Sequence, residues 1–352
     1  MSGQAAPRPG LRDVEPYVSP QLDVAARLNT NECPHRLPER FFKELAHAIE
    51  DLPLNRYPDG RMTRLREELA AHAGHTLEGT WVANGSNEVL LQLLQAYGGG
   101  GRSAVLFEPT YLLHSRLCWL TQTSLVSLRL DDRFELSDAS IDAAVAAGPD
   151  VVFVCSPNNP TGNAQPVETV ASLAARTDAL VIVDEAYVEF GGATCLPLLA
   201  DHPNVAIVRT FSKAFALAGA RVGYVLAAPE VVDDLQRVRL PYHVSALTQA
   251  AGIAALHHAH EALDILASIR TERDRIFAAL QAMPGVTTYP SDANFVLFVP
   301  PKPAAEVWQA LLDRGVLVRD LSSVVPNALR VTAGATHEVD LFLDSLTEVL
   351  AA

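Results

Sequence analysis

Positive charge is scarce in this 352-residue chain: 27 Lys and Arg stand against 41 Asp and Glu, a net charge of -14. That balance excludes a general electrostatic grip on nucleic acid or acidic lipid, so cations that bind an anionic substrate must be gathered locally. Cysteine is scarce too. Cys33, Cys118, Cys155 and Cys195 form no C-x-x-C pair, and no histidine stands at zinc-ligand spacing. They read as buried apolar residues in a reducing compartment, with no metal site. No apolar run reaches the length of a membrane span, and the N-terminus lacks a charged-then-apolar signal pattern, so the expected location is cytoplasmic. There is no internal repeat. A hydrophobic fraction of 49% and a charged fraction of 19% describe an ordinary globular protein, long enough for two domains.

From about residue 39, short apolar runs alternate with helical patterns. Strands are expected at 80–82, 103–108, 124–128, 151–156, 180–184, 205–210 and 223–227, and most lack polar alternation, as in parallel strands covered on both faces. Helices are expected at 62–73, 86–97, 110–119, 138–147, 166–176 and 230–239. This is the grammar of an α/β doubly wound, mostly parallel sheet domain. A long amphipathic helix is expected over 245–282. Strands at 294–299, 316–319 and 328–332 and helices at 304–314 and 337–350 follow, which suggests a small α+β domain. The expected division is an N-terminal arm over 1–38 that joins the small domain or a dimer contact, a large domain over 39–244 and a small one over 245–352.

The most informative string runs from Thr210 to Tyr224 and holds Lys213 between hydroxyl residues and a guanidinium on a small, apolar backbone. A desolvated lysine has a lowered pKa and a nucleophilic amine, while Thr210, Ser212 and Arg221 can together hold a doubly charged phosphate. A Schiff-base lysine beside a phosphate cradle is what pyridoxal 5'-phosphate requires. Taken alone, a lysine is more often a surface residue.

Other strings sit at the carboxyl ends of expected strands, where open α/β sheets bind ligands. Asp184 ends one such run and can pair with a protonated pyridine nitrogen or cap the next helix. Ser156-Pro-Asn-Asn-Pro-Thr-Gly162 makes a rigid loop in which Asn159 can donate to a phenolate-like oxygen, as can the Tyr187 hydroxyl. Asn84-Gly-Ser-Asn-Glu88 offers helix-start N–H groups with Ser86 and Asn87 to a phosphate, or is a plain cap. Tyr111 can stack on a heteroaromatic ring or serve ordinary packing. Tyr57, in a turn, has no role that its own surroundings reveal.

Together these strings resemble the fold-type I pyridoxal-phosphate aminotransferases, and among them the histidinol-phosphate aminotransferase family. The resemblance runs from Leu28-Asn-Thr-Asn-Glu32 through Arg56-Tyr-Pro-Asp59, Gly85-Ser-Asn-Glu88, Pro109-Thr-Tyr111, Ser156–Gly162, Val183-Asp-Glu-Ala-Tyr187, Ser212-Lys-Ala-Phe215 and Ala218-Gly219 to Leu329-Arg330. It implies that Lys213 carries the cofactor and moves the proton between the substrate carbon and C4', and that Asp184 pairs with the ring nitrogen. It further implies that Asn159 and Tyr187 bond the ring oxygen and Tyr111 stacks on the ring. Ser86, Asn87, Thr210, Ser212 and Arg221 then hold the phosphate. Tyr57 is similar to a tyrosine that reaches this phosphate from the neighbouring subunit, which implies a homodimer, and Arg330 resembles the arginine that binds the substrate carboxylate. Two positions depart from the pattern: Asn87 where Asp is common, and Ala220 where Leu is.

A site that accepts both glutamate and histidinol phosphate needs one cationic cluster for a carboxylate and a phosphate in turn. Arg319 and Arg330, at the ends of adjacent expected strands, can form it. Tyr17 and, from a partner subunit, Tyr242 are further candidate substrate contacts. The implied reaction passes the amino group of glutamate to imidazole-acetol phosphate in histidine biosynthesis. An aromatic amino-acid aminotransferase and a threonine-phosphate decarboxylase are the rivals on the same scaffold.

Overall fold

A computed structural model of the chain describes residues 5–8, 10–16 and 20–352, with Leu263 through its backbone only. Before the main sheet come β1 (Ala26–Arg27), α1 (Glu39–Glu50) and α2 (Thr63–Ala73). Seven strands then form the large sheet: β2 (Thr80–Asn84), β3 (Ser103–Glu108), β4 (Ser124–Arg129), β5 (Val151–Cys155), β6 (Leu180–Asp184), β7 (Val205–Thr210) and β8 (Val222–Ala227). Their spatial order is β2-β8-β7-β6-β5-β3-β4. Between them run α3 (Ser86–Tyr97), α4 (Leu112–Thr121), α5 (Asp138–Ala146) and α6 (Val167–Ala175), and α7 (Pro229–Val238) follows β8.

The apolar runs of β5, β6 and β8 are buried at every residue, because helices cover both faces of the sheet. At the edge, β4 alternates exposed and half-buried residues. Strand β8 alone runs against its neighbours, antiparallel to both β7 and β2. Its first residue therefore lies on the same rim as the carboxyl ends of the other strands: Val222 pairs with Asn84, and Gly223 with Thr210. A Cβ on Gly223 would come within 2.1 Å of Gly85 C and Ser86 N, so glycine lets β8 lie tight against the start of α3.

The region expected as one helix over 245–282 is two helices, α8 (Ala246–His257) and α9 (Ala259–Ala282). Helix α8 packs on α1, α2 and β8, where Gly252 meets Leu65 and Val222, whereas α9 packs on β9 (Thr287–Thr288) and β10 (Phe295–Val299) of a second sheet. A boundary at 244/245 thus cuts α8 from the elements it packs against; the change of partner comes at His258. Glu44 of α1 sits at that break, with its two oxygens 2.5 Å from His257 Nδ1 and 3.0 Å from His258 Nε2.

Helix α10 (Ala304–Leu312) leads to β11 (Val316–Leu317), β12 (Arg319–Asp320), β13 (Leu329–Thr332) and α11 (Thr336–Ala351). The small sheet is antiparallel, in the order β12-β13-β10-β9. The run expected as one strand over 316–319 divides between two sheets, since β11 pairs with β1 in parallel and β12 pairs with β13. The N-terminal arm enters the fold through β1. Past it, Leu28 donates to Leu317 O and accepts from Thr332 N, which delivers Asn29–Asn31 to the space between the two sheets.

Candidate active site

A cavity of about 880 Å³ opens at the carboxyl rim of the large sheet and takes in Arg319 and Arg330 of the small one. Each large-sheet residue in it comes from a strand end. Ser86 and Asn87 follow β2, Tyr111 follows β3, Asn159 follows β5, Asp184 ends β6, Thr210 ends β7 and Arg221 precedes β8. Among the described residues, four guanidinium groups (Arg116, Arg221, Arg319 and Arg330) and the amine of Lys213 line the cavity against one carboxylate, Asp184. In a chain of net charge -14 that is a local concentration of positive charge, suited to anionic ligands.

Lys213 is half-buried at the cavity wall and donates from Nζ to Thr30 O at 3.0 Å. Its pKa falls from 10.5 to about 7; burial is the largest cause, the charges of Arg330 and Arg221 add to it, and Glu32 opposes. A substantial share of the amine is therefore uncharged near neutrality. Asp184 is buried, with Oδ1 accepting from Ala186 N at 3.2 Å and Oδ2 3.1 Å from His114 Nε2. The Tyr187 hydroxyl accepts from Asn31 Nδ2 at 3.0 Å, and burial pushes its pKa up to about 12, so it stays protonated and able to donate. Arg330 donates to Asn159 Oδ1 at 2.5 Å and to Asn29 O at 3.0 Å. With Oδ1 so occupied, Asn159 presents its amide N–H groups as donors.

A cradle whose donors suit a phosphate closes one end. Gly85 caps α3 at φ +80°, a conformation that favours glycine, and a Cβ there would lie 2.4 Å from Arg221 Nη2. Its absence lets the guanidinium approach the helix start, whose first N–H groups have no intrahelical acceptor. Arg221 Nη1 donates to Ser212 Oγ at 3.2 Å, and Thr210 Oγ1 donates to the same oxygen at 3.0 Å.

The sequence profile of aminotransferase class I and II matches residues 25–346. The chain belongs to that family. Among similar proteins is the histidinol-phosphate aminotransferase of Frankia casuarinae, 48% identical over 97% of this chain and 90% of that one. The enzyme of the same name from Streptomyces avermitilis is 48% identical over 97% of this chain and 96% of its own. A crystal structure of histidinol-phosphate aminotransferase from Sinorhizobium meliloti, in complex with pyridoxal-5'-phosphate, superposes with a TM-score of 0.87 at 26% identity. The match covers 100% of this chain and 99% of that one.

Pyridoxal phosphate is the cofactor of this aminotransferase family, and the residues present fit it. The glycine-lined cradle suits a phosphate, the buried carboxylate a protonated pyridine nitrogen, and the amide of Asn159 and hydroxyl of Tyr187 an anionic ring oxygen. Tyr111 lies on the wall beside His114, their rings in edge contact at 5.6 Å.

The cavity of this aminotransferase brings together Lys213, Asp184, Tyr187, Ser86, Asn87, Tyr111, Asn159, Thr210, Ser212, Arg221, Arg319 and Arg330. Tyr57 and Tyr242 do not reach it. They stack on each other at the surface, centroids 4.5 Å apart, 79% and 46% exposed. Tyr17 lies outside the described residues. His114 and Arg116 carry no signal in the sequence, and the Leu28–Glu32 string shows no individual role for Asn29–Asn31 because much of their contact is through backbone carbonyls. His114 is 70 residues from the carboxylate it touches.

Proposed function

We propose that this aminotransferase is a histidinol-phosphate:2-oxoglutarate aminotransferase that takes the amino group of glutamate to imidazole-acetol phosphate in histidine biosynthesis. The observation that carries this reading is the 48% identity, across 97% of the chain, to enzymes named for histidinol phosphate.

Pyridoxal phosphate, when bound, supplies an electron sink for negative charge on the amine-bearing carbon. The chain does the rest. Lys213 Nζ, partly uncharged near neutrality, takes the proton from that carbon and returns it one position away. Asp184 keeps a proton on the ring nitrogen, with His114 fixing its second oxygen. Arg319 and Arg330 stand opposite each other in the register of β12 and β13, so their guanidinium groups form one anion site beside Lys213. That site takes the α-carboxylate of glutamate in one half-reaction and the phosphate of histidinol phosphate in the other.

We further propose a homodimer in the cytoplasm, with the cofactor-binding body and the small unit dividing at His258, between α8 and α9, rather than at 244/245. The exposed pair Tyr57 and Tyr242 lies in a region that also exposes Leu54 (62%) and Leu240 (72%). A second copy would cover it, with Tyr57 reaching the phosphate of the neighbouring cavity.

Single-turnover spectra of the loaded enzyme test the reading. Histidinol phosphate should discharge the absorbance of the bound cofactor faster than phenylalanine at equal concentration. Preference for phenylalanine would make it an aromatic aminotransferase. Carbon dioxide release from threonine phosphate without a 2-oxoglutarate requirement would make it a decarboxylase.

A further inference from the structure

Helix α4 forms one wall of the cavity, and its lining face is mostly apolar: Leu112, Trp119 and Leu120, with Ser115 whose hydroxyl is turned onto Leu112 O, surround a single charge, Arg116. Arg116 Nη1 donates 2.7 Å to the backbone carbonyl of Glu15, part of the N-terminal arm, whose Val14 and Pro16 also line the cavity. No carboxylate pairs with Arg116 among the described residues. A guanidinium has five N–H donors, and this one has spent one on a neutral acceptor. Among the described residues it is a charge held at the cavity without a counter-charge.

The other cations are accounted for by the proposed reaction. Arg221 serves the phosphate cradle, and Arg319 and Arg330, being direct cross-strand partners, serve one anionic group between them. Glutamate carries two carboxylates, separated by three carbons. When the α-carboxylate occupies the Arg319–Arg330 site, the other must lie at a distance from it, against a different wall. Histidinol phosphate places a neutral imidazole at that same distal end. A guanidinium set among mostly apolar side chains suits both: it binds a carboxylate through a fork of N–H groups, and its flat face stacks on an aromatic ring.

We propose that Arg116 determines substrate specificity by receiving the distal carboxylate of the dicarboxylic amino donor and yielding the same place to the imidazole of the acceptor. This rests on the function proposed above and adds to it the residue that reads the far end of the substrate.

The test compares Arg116→Gln and Arg116→Lys with the wild type as cofactor-loaded enzyme. Three quantities are read: kcat/KM for glutamate, kcat/KM for histidinol phosphate, and the Kd of glutarate, an unreactive dicarboxylate, by calorimetry. Loss of a charge-assisted contact should lower the glutamate-to-histidinol-phosphate ratio by about tenfold or more in Arg116→Gln, and weaken glutarate by a similar factor. Arg116→Lys, which keeps the charge, should recover part of both. An equal loss for both substrates with unchanged glutarate affinity would overturn the proposal and leave Arg116 as an anchor for the arm. No recovery in Arg116→Lys would also overturn it. If the wild type ignores histidinol phosphate yet uses glutamate, the reaction reading fails, and the glutamate and glutarate data still decide the role of Arg116.

Discussion

His114 Nε2 lies 3.1 Å from Asp184 Oδ2, with both side chains buried and the imidazole stacked on Phe153 at a centroid distance of 4.7 Å. The stack fixes the plane of the ring and the ring fixes the carboxylate, so Asp184 faces the cavity in one orientation. His114 is a positioning residue. His114→Phe should keep the stack and leave one carboxylate oxygen buried without its partner, a cost of about 1–3 kcal/mol. We expect kcat to fall about tenfold with little change in KM for glutamate, and the absorbance of the bound cofactor to shift with pH. Unchanged spectra and kcat would remove His114 from the account.

The cradle depends on a missing side chain. Gly85→Ala puts a methyl group where Arg221 Nη2 sits, at a φ of +80° that L residues rarely adopt. Strain of about 1–3 kcal/mol is expected, together with weaker cofactor binding as the guanidinium is displaced. Equilibrium dialysis of pyridoxal phosphate against the cofactor-free protein checks it, and wild-type affinity would contradict the cradle.

Lys213 gives stability a pH dependence of known sign. A lysine whose pKa is about 7 when folded and 10.5 when unfolded binds fewer protons in the folded state across that window, so stability rises with pH there. The cost of burying its charge is full below about pH 7 and gone above 10.5. In the cofactor-free protein, Lys213→Met should therefore raise Tm most near pH 6, and the advantage should shrink towards pH 10. A Tm difference independent of pH would mean that the amine is not desolvated.

The proposed dimer couples assembly to the cofactor. Leu240→Glu places a charge beside Tyr242 on the exposed apolar region. Sedimentation should show the wild type as a dimer and the variant shifted to monomer, with pyridoxal phosphate affinity falling alongside because Tyr57 no longer reaches the neighbouring cradle. A wild-type monomer with full cofactor affinity would exclude the cross-subunit role.

Elements with continuous apolar runs were legible: Ser103–Glu108, Leu180–Asp184 and Val205–Thr210 end where the residue pattern ends. The break at His258 was not, because helical periodicity continues through it and only the packing partner changes. Two-residue strands such as Ala26–Arg27 and Thr287–Thr288 are too short to show any period. The site follows the same division. Residues in strings at strand ends, such as Asp184, Asn159 and Gly85, announced themselves, because the fold puts those ends on one rim. Contacts made through a backbone carbonyl (Thr30 to Lys213) or between distant helix and strand residues (His114 to Asp184) leave no local signature. Arg116 was invisible for a simpler reason: its helix pattern says which face it shares, not that the face borders a cavity.

The most direct test of the proposed reaction is kcat/KM for histidinol phosphate, phenylalanine and threonine phosphate, each with 2-oxoglutarate as acceptor. Lys213→Ala, expected to lose about 10²–10⁴-fold in turnover, is the control. Histidinol phosphate should lead by at least tenfold, with one glutamate formed per amino group lost. Equal or higher kcat/KM for phenylalanine, or turnover that survives in Lys213→Ala, would contradict it.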